Sequence, residues 1–312
     1  MDLITHFIVP YAILTLVKSR HKLEGAFGGI SLDFDTLIAW IGILSPELFI
    51  FSHRGITHSF IFGFVTSVVF LYVASRKQVN GFISKVIHRN IKVEFTKASI
   101  MVVYFGALTH LFLDFLTTKG IPLLYPFSIT RFSAELYNSI DVTTMCLALF
   151  VLLILYLKIN PQYKKAALYS FVIILIAIGG IRAYEKMDVL NQAQTFEGNY
   201  TNITAYPTSN IFQWYVVENN PEKSSYKVFE YDTWKNDVYN SKTVSSLTIT
   251  NGSHIAGLNA INTANTLPEV ARLKWNSYYT FVNAEHSSNW NVTYFDILPS
   301  YDNNNLTVSV QG

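Results

Sequence analysis

Up to about residue 186 the chain alternates long apolar runs with short polar stretches, and after that its character changes. The apolar runs occupy 3–17, 25–44, 59–74, 98–116, 141–157 and 166–183. A helix needs roughly 20 apolar residues to cross a bilayer. Most of these runs approach that length, while 3–17 is short and is interrupted by Pro10. The pattern predicts about five to six transmembrane helices. Beyond 187 the apolar segments become short, β-branched and aromatic: WYVVE, YKVFEY, VSSLTIT, YYTFV, WNVTYFDIL and LTVSV, with Asn, Gly and Pro between them. That is the pattern of a mostly antiparallel β domain. The expected fold class is an α-helical membrane bundle over 1–186 followed by a mostly-β domain over 187–312.

Composition sharpens this division. Half of the 312 residues are hydrophobic, only 14% are charged and the mean hydropathy is +0.27, outside the range of an ordinary soluble protein. Residues 1–186 carry 17 Lys+Arg against 10 Asp+Glu, and the rest carry 6 against 11. The basic charge of the first part sits in loops, so no nucleic-acid partner is expected. If the N-terminus is outside and all six runs cross, the inside loops 18–24, 75–97 and 158–165 hold 12 Lys/Arg. The outside loops 45–58 and 117–140 then hold 3. The positive-inside rule therefore predicts a multi-pass plasma-membrane protein with everything after 184 outside. Sequons at Asn199, Asn202, Asn251, Asn291 and Asn305, all in the second part, agree with an extracytoplasmic, N-glycosylated module. The single cysteine, Cys146, excludes an intrachain disulfide and a thiolate metal cluster. The start Met1–Asp2, without a basic region, is not the pattern of a cleaved signal peptide.

The candidate chemistry centres on His53–Ser59, which reads H-R-G-I-T-H-S, beside one of the most apolar runs. On the predicted topology the polar residues of the first part gather toward one side. His6 lies near the outer start of the first run, and His53 and His58 lie in an outer loop. His110 and Asp114 share a helical face one turn apart, and Asp141 opens the next helix. Asp33 and Asp35, at i and i+2, cannot share a helical face, so the helix is expected to unwind there, as it does where backbone lines a cavity. His and Asp without Cys suit Zn²⁺, or Mn²⁺ and Fe²⁺ where oxygen ligands dominate. The number of carboxylates and imidazoles allows one or two ions, and Arg54 could steady a phosphate. Each residue also has a plainer reading: an interhelical hydrogen bond for the His–Asp pair, an N-cap for Thr57 or Ser59, an interfacial anchor for His6, a snorkelling Arg54, a proton relay for Asp33 or Asp35. His21 and His88 fall in inside loops, and His254 and His286 in the outer domain read as surface residues.

The motifs T-H at 5–6, L-D-F-D at 32–35, H-R-G-I-T-H-S at 53–59, H-L-F-L-D-F-L-T-T-K-G at 110–120, P-L-L-Y-P-F-S at 122–128 and S-I-D at 139–141 resemble the YdjM-like membrane-bound, metal-dependent hydrolases. The resemblance covers about 1–160. It implies His6, Asp33, Asp35, His53, His58, His110 and Asp114 as metal-site residues, with Arg54 and Asp141 beside them in catalytic roles. Leu32 stands where that family usually has proline. The pattern is also similar, at a distance, to zinc-dependent phospholipase C and P1-type nucleases, which implies hydrolysis of a phosphoester such as a lipid headgroup. Two alternatives stand beside this one: an ion or proton pathway, and a non-catalytic scaffold with a structural metal whose outer domain binds a protein partner. No HExxH and no Gly-rich phosphate loop is present.

Overall fold

The computed structural model describes residues 1–87, 92–195, 201–298 and 305–311; His88 and the sequon asparagine Asn199 lie outside them. The chain divides into two compact units. One comprises Met1–Ile41 and Ile50–Ala183, the other Gly42–Phe49 and Tyr184–Gly312.

The first unit is helical. Asp2 caps α1 (Leu3–Leu16), its carboxylate accepting from the N–H groups of Ile4 and Thr5. Next comes α2 (Lys22–Ser31), which tightens into a 3-10 helix over Leu32–Leu37 before α3 (Trp40–Leu44). The α-helix therefore does give way at Asp33 and Asp35, but into the tighter 3-10 geometry rather than the unwound stretch expected. The segment to His58 contains two further 3-10 turns, Pro46–Phe51 and Ile56–His58. Ser59 caps α4 (Phe60–Ala74) by accepting from the N–H of Phe62. The remaining helices are α5 (Lys77–Ile87), α6 (Lys97–Phe115), α7 (Val142–Tyr156) and α8 (Pro161–Ala193).

Among the described residues, three stretches are long and apolar enough to cross a membrane: Lys22–Leu44, Lys97–Phe115 and Pro161–Ala193. A fourth exists if α4 and α5, bent by 77° at their junction, form one span. The finer expectation of five to six crossings needs α1 and α7 as well. Their 14 and 15 residues rise only about 21–23 Å against a hydrocarbon core of about 30 Å.

Glycines bring α1, α2 and α6 together. A Cβ on Gly106 would lie 1.9 Å from the carbonyl oxygen of Gly25, and one on Gly28 would lie 1.9 Å from that of Val103. Gly29 faces α1, where a Cβ would meet the carbonyl of His6 at 2.0 Å. Small residues four apart let helix backbones approach this closely in an apolar environment, where van der Waals contact drives association. Leu32, Ala107, Leu111 and Ile121 form the apolar floor beside this seam.

The second unit holds two four-stranded sheets. The first is an antiparallel meander of β1 (Thr201–Pro207), β2 (Gln213–Asn220), β3 (Ser225–Asp232) and β4 (Asp237–Ser245). Its inward Trp214, Val216, Phe229 and Tyr231 pack with Val189 and Ala193 from the end of α8. The second sheet contains β5 (Leu247–Thr250), then, after two helices, β6 (Thr280–His286), β7 (Trp290–Asp296) and β8 (Leu306–Val310). The parallel pairing of β5 with β6 requires a crossover, and α9 (His254–Ala264) and α10 (Pro268–Asn276) supply it. All six strand-like runs overlap strands, although VSSLTIT breaks at Ser246 between β4 and β5, Tyr278 and Tyr279 precede β6, and Ile297 and Leu298 follow β7. The run that forms β1 was not anticipated, and neither were α9 and α10. Their markers are Ser253 as N-cap and Pro268 at the first helical position. Of the sequon asparagines, Asn202, Asn251 and Asn305 are exposed and Asn291 is half-buried.

Candidate metal centre

The centre forms where α6, the 3-10 segment after α2 and the loop before α4 converge. His110 and Asp114, one turn apart on α6, are fully buried. His110 Nδ1 lies 2.6 Å from the carbonyl oxygen of Gly29. A carbonyl only accepts, so Nδ1 carries the proton and Nε2 presents a lone pair. His58 is held in the same sense. Its Nδ1 is 2.9 Å from Thr57 Oγ1 and 3.2 Å from Asp35 Oδ2, so its Nε2 is also the free lone pair.

The two Nε2 atoms face each other at 3.1 Å. Asp114 Oδ2 lies 3.4 Å from that of His58 and 3.5 Å from that of His110. Asp33 Oδ1 completes a tetrad at 3.8 and 3.6 Å from the same atoms. Ligands bound at 2.0–2.1 Å in tetrahedral geometry are about 3.3–3.4 Å apart. The five distances bracket that value. Two lone pairs and a carboxylate oxygen pointed at one another repel unless a cation or a proton sits between them. Asp114 Oδ2 makes no hydrogen bond among the described residues despite being buried, as an atom reserved for an ion would. The residues thus fit a divalent ion.

Asp35 has a different task. Its Oδ1 accepts from His53 Nδ1 at 2.8 Å, and its Oδ2 accepts from the Arg54 N–H at 3.1 Å and from Thr57 Oγ1 at 2.8 Å. One carboxylate therefore gathers the whole His53–His58 loop and sets the tautomer of His58. This is the outer-shell role that orients a metal-binding imidazole. His53, whose side chain is 45% exposed, meets Asp35 but does not reach the tetrad atoms at hydrogen-bond distance. Among the described residues, Asp35, His53 and His58 still form one of three groups that could hold an ion, the others being Asp33, His58, His110 and His6, His110, Asp114. Replacing Asp35 by Asn is expected to weaken metal binding by about 10–100-fold, read by competition against a chelator. Unchanged affinity would reduce Asp35 to a structural tie of the loop.

Arg54 is buried with a left-handed backbone, φ 61°. Its Nη2 donates to Asp114 Oδ1 at 2.9 Å, and its Nη1 donates to Thr117 Oγ1 and to the Thr118 carbonyl. These donors are directed at the protein, which gives Arg54 a positioning task. Asp114 Oδ1 also accepts from the Met1 ammonium, so the two oxygens are divided, Oδ1 between two cations and Oδ2 toward the tetrad. His6 stacks on His110 with ring centroids 3.7 Å apart, its Nε2 3.3 Å from Asp114 Oδ1.

Asp141 is not brought to the tetrad. It caps α7 by accepting from the Thr144 N–H at 2.8 Å, and Arg182 lies 3.5 Å away. Sequence reasoning overlooked the Gly29 carbonyl, the Thr117 hydroxyl and the Thr118 carbonyl. Only the threonines carried a signal, as the T-T after the His–Asp pair.

Among protein families, the model described as YdjM inner membrane protein matches residues 1–187. No curated protein and no solved structure matches the chain.

Proposed function

The chain belongs to the YdjM inner membrane protein family, and from that premise we propose that it is an integral membrane hydrolase using one divalent ion, zinc by its donor set, to cleave a phosphoester. The tetrad carries this reading. Three of its members, His58, His110 and Asp114, are fully buried and mutually 3.1–3.5 Å apart. Asp33 stands further off, and its side chain is 15% exposed. Two imidazoles and a carboxylate with a fourth position open on the accessible side match a hydrolytic rather than a purely structural zinc site. When bound there, the ion would supply Lewis acidity and bring the pKa of a water near 7. Asp33, on the open side, is placed to accept the proton of an attacking water. Arg54 holds Asp114 Oδ1 so that Oδ2 keeps its direction, and the apolar floor excludes other water. One ion suffices, because the other oxygen of the Asp114 carboxylate, beside His6, already accepts from Arg54.

Lys/Arg placement supports a site and a C-terminal unit on the outer side, with a lipid headgroup as the natural substrate class and N-glycosylation at the exposed sequons. Elemental analysis of the detergent-purified full chain, with zinc and manganese offered during purification, tests the centre. About one equivalent of metal is expected, with chelator-sensitive hydrolysis of bis(p-nitrophenyl) phosphate and of phospholipid vesicles. A metal-free protein would sink the proposal. A second reading, a structural ion, is favoured by Asp33 closing the fourth vertex. It would show as one tightly held equivalent, no hydrolysis, and loss of thermal stability on chelation.

A further inference from the structure

The segment Gly42–Phe49 lies in sequence between the two stretches that build the metal centre, yet it belongs to the C-terminal unit. It is held there at both ends by α10. Arg272 Nη1 donates to the Gly42 carbonyl at 3.2 Å, and the Phe49 ring packs on Trp275 with centroids 5.3 Å apart. Val270 and Leu273 bury one face of α10 against the second sheet. Arg272 and Trp275, also three apart, follow those positions by two residues, about 200° around the helix, and so project from the opposite face. Gly42 is buried under this grip, while its neighbours Ile43 and Leu44 are 70% and 73% exposed.

The base of the same loop is pinned at the centre, where Asp35 accepts from His53 and from the Arg54 N–H. A loop fixed at its base and at its tip has little conformational freedom. Releasing the tip returns entropy to the residues in between. The base would feel that first, because Asp35 is seven residues before Gly42 and His53 is four after Phe49. The family match ends at residue 187, so α10 lies outside the part of the chain that carries the metal motifs.

We propose that Arg272 and Trp275 are positioning residues for the metal centre: by holding Gly42–Phe49 they keep the Asp35–His53 base closed and the His58 imidazole aimed at the tetrad. The inference rests on the metal reading above and adds a role for the C-terminal unit. Two measurements on the full chain in detergent test it, with Zn²⁺ as the probe. In a chelator-competition titration, Arg272→Ala/Trp275→Ala is expected to bind Zn²⁺ about three- to tenfold more weakly than wild type, less than the 10–100-fold usual for a direct partner of a ligand. Arg272→Lys and Trp275→Phe, which can keep the hydrogen bond and the ring contact, are expected to restore wild-type affinity. By linkage, an element that favours the ion must itself be favoured by the ion. In the wild type, Zn²⁺ should therefore slow amide hydrogen exchange across 42–49.

Wild-type affinity in the folded double variant, or exchange over 42–49 that ignores Zn²⁺, would overturn the coupling and leave the metal reading intact. A wild type that binds no Zn²⁺ would overturn the metal reading and the coupling with it. If circular dichroism shows that the double variant does not fold, the wild-type exchange experiment decides.

Discussion

His110→Ala is expected to empty the metal centre and abolish any metal-dependent hydrolysis. The ring does three things at once. Its Nε2 is 3.1–3.6 Å from the other tetrad atoms, its face stacks on His6, and its Nδ1–H donates to the Gly29 carbonyl. Loss of a direct ligand should exceed the 10–100-fold typical of an outer-shell change, leaving affinity down by more than about 100-fold. The alanine also strands a buried carbonyl, at about 1–3 kcal/mol, so a fall in stability alone would be ambiguous. His110→Asn separates the effects, because an asparagine Nδ2 can take the place of Nδ1 against Gly29 but offers nothing where Nε2 was. Both variants should lose zinc by elemental analysis, and the asparagine should melt closer to wild type. An asparagine variant that retains a full equivalent of zinc would remove His110 from the ligand set.

The second large effect concerns the scaffold. Gly106→Ala adds a single methyl, but that carbon would lie 1.9 Å from the Gly25 carbonyl oxygen and 2.8 Å from the Gly29 nitrogen. Both neighbours are backbone, so no rotamer change relieves the clash and α2 must move away from α6. Overpacking costs about 1–3 kcal/mol, and a backbone clash of this kind belongs at the upper end. The same displacement would pull Gly29 from His110 and lower metal affinity. Gly81→Ala is the matched control. It lies inside α5 with nothing within 4 Å of an added Cβ, so the better helix propensity of alanine should leave stability unchanged or raised by up to about 1 kcal/mol. Denaturation in detergent compares the two. Equal stability of Gly106→Ala and wild type would mean that α2 and α6 do not meet through these glycines.

Much of the site was legible because its signals are local. The i, i+4 spacing of His110 and Asp114 places both on one face of any helix that contains them, and the i, i+2 spacing of Asp33 and Asp35 conflicts with a single helical face wherever the chain goes. The β-branched and aromatic composition of the strands is local in the same way, which is why runs such as YKVFEY were readable. The crossover helices were less visible because α9, HIAGLNAINTA, combines small residues and asparagines without a strong apolar stripe.

The sequence by itself determined that imidazoles and carboxylates would meet in an apolar, metal-fitting cluster, and that a β-rich unit would follow a helical one. Only the tertiary structure decided what each group does there. Asp33, Asp35, Asp114 and Asp141 are the same chemical group, and they differ only in the donors that surround them. Those donors arrive from far along the chain: His53 reaches Asp35 across 18 residues, Arg54 reaches Asp114 across 60, and Gly29 meets His110 across 81. A carboxylate saturated by such donors orients its neighbours, and one left with a buried, unbonded oxygen is free to take a cation.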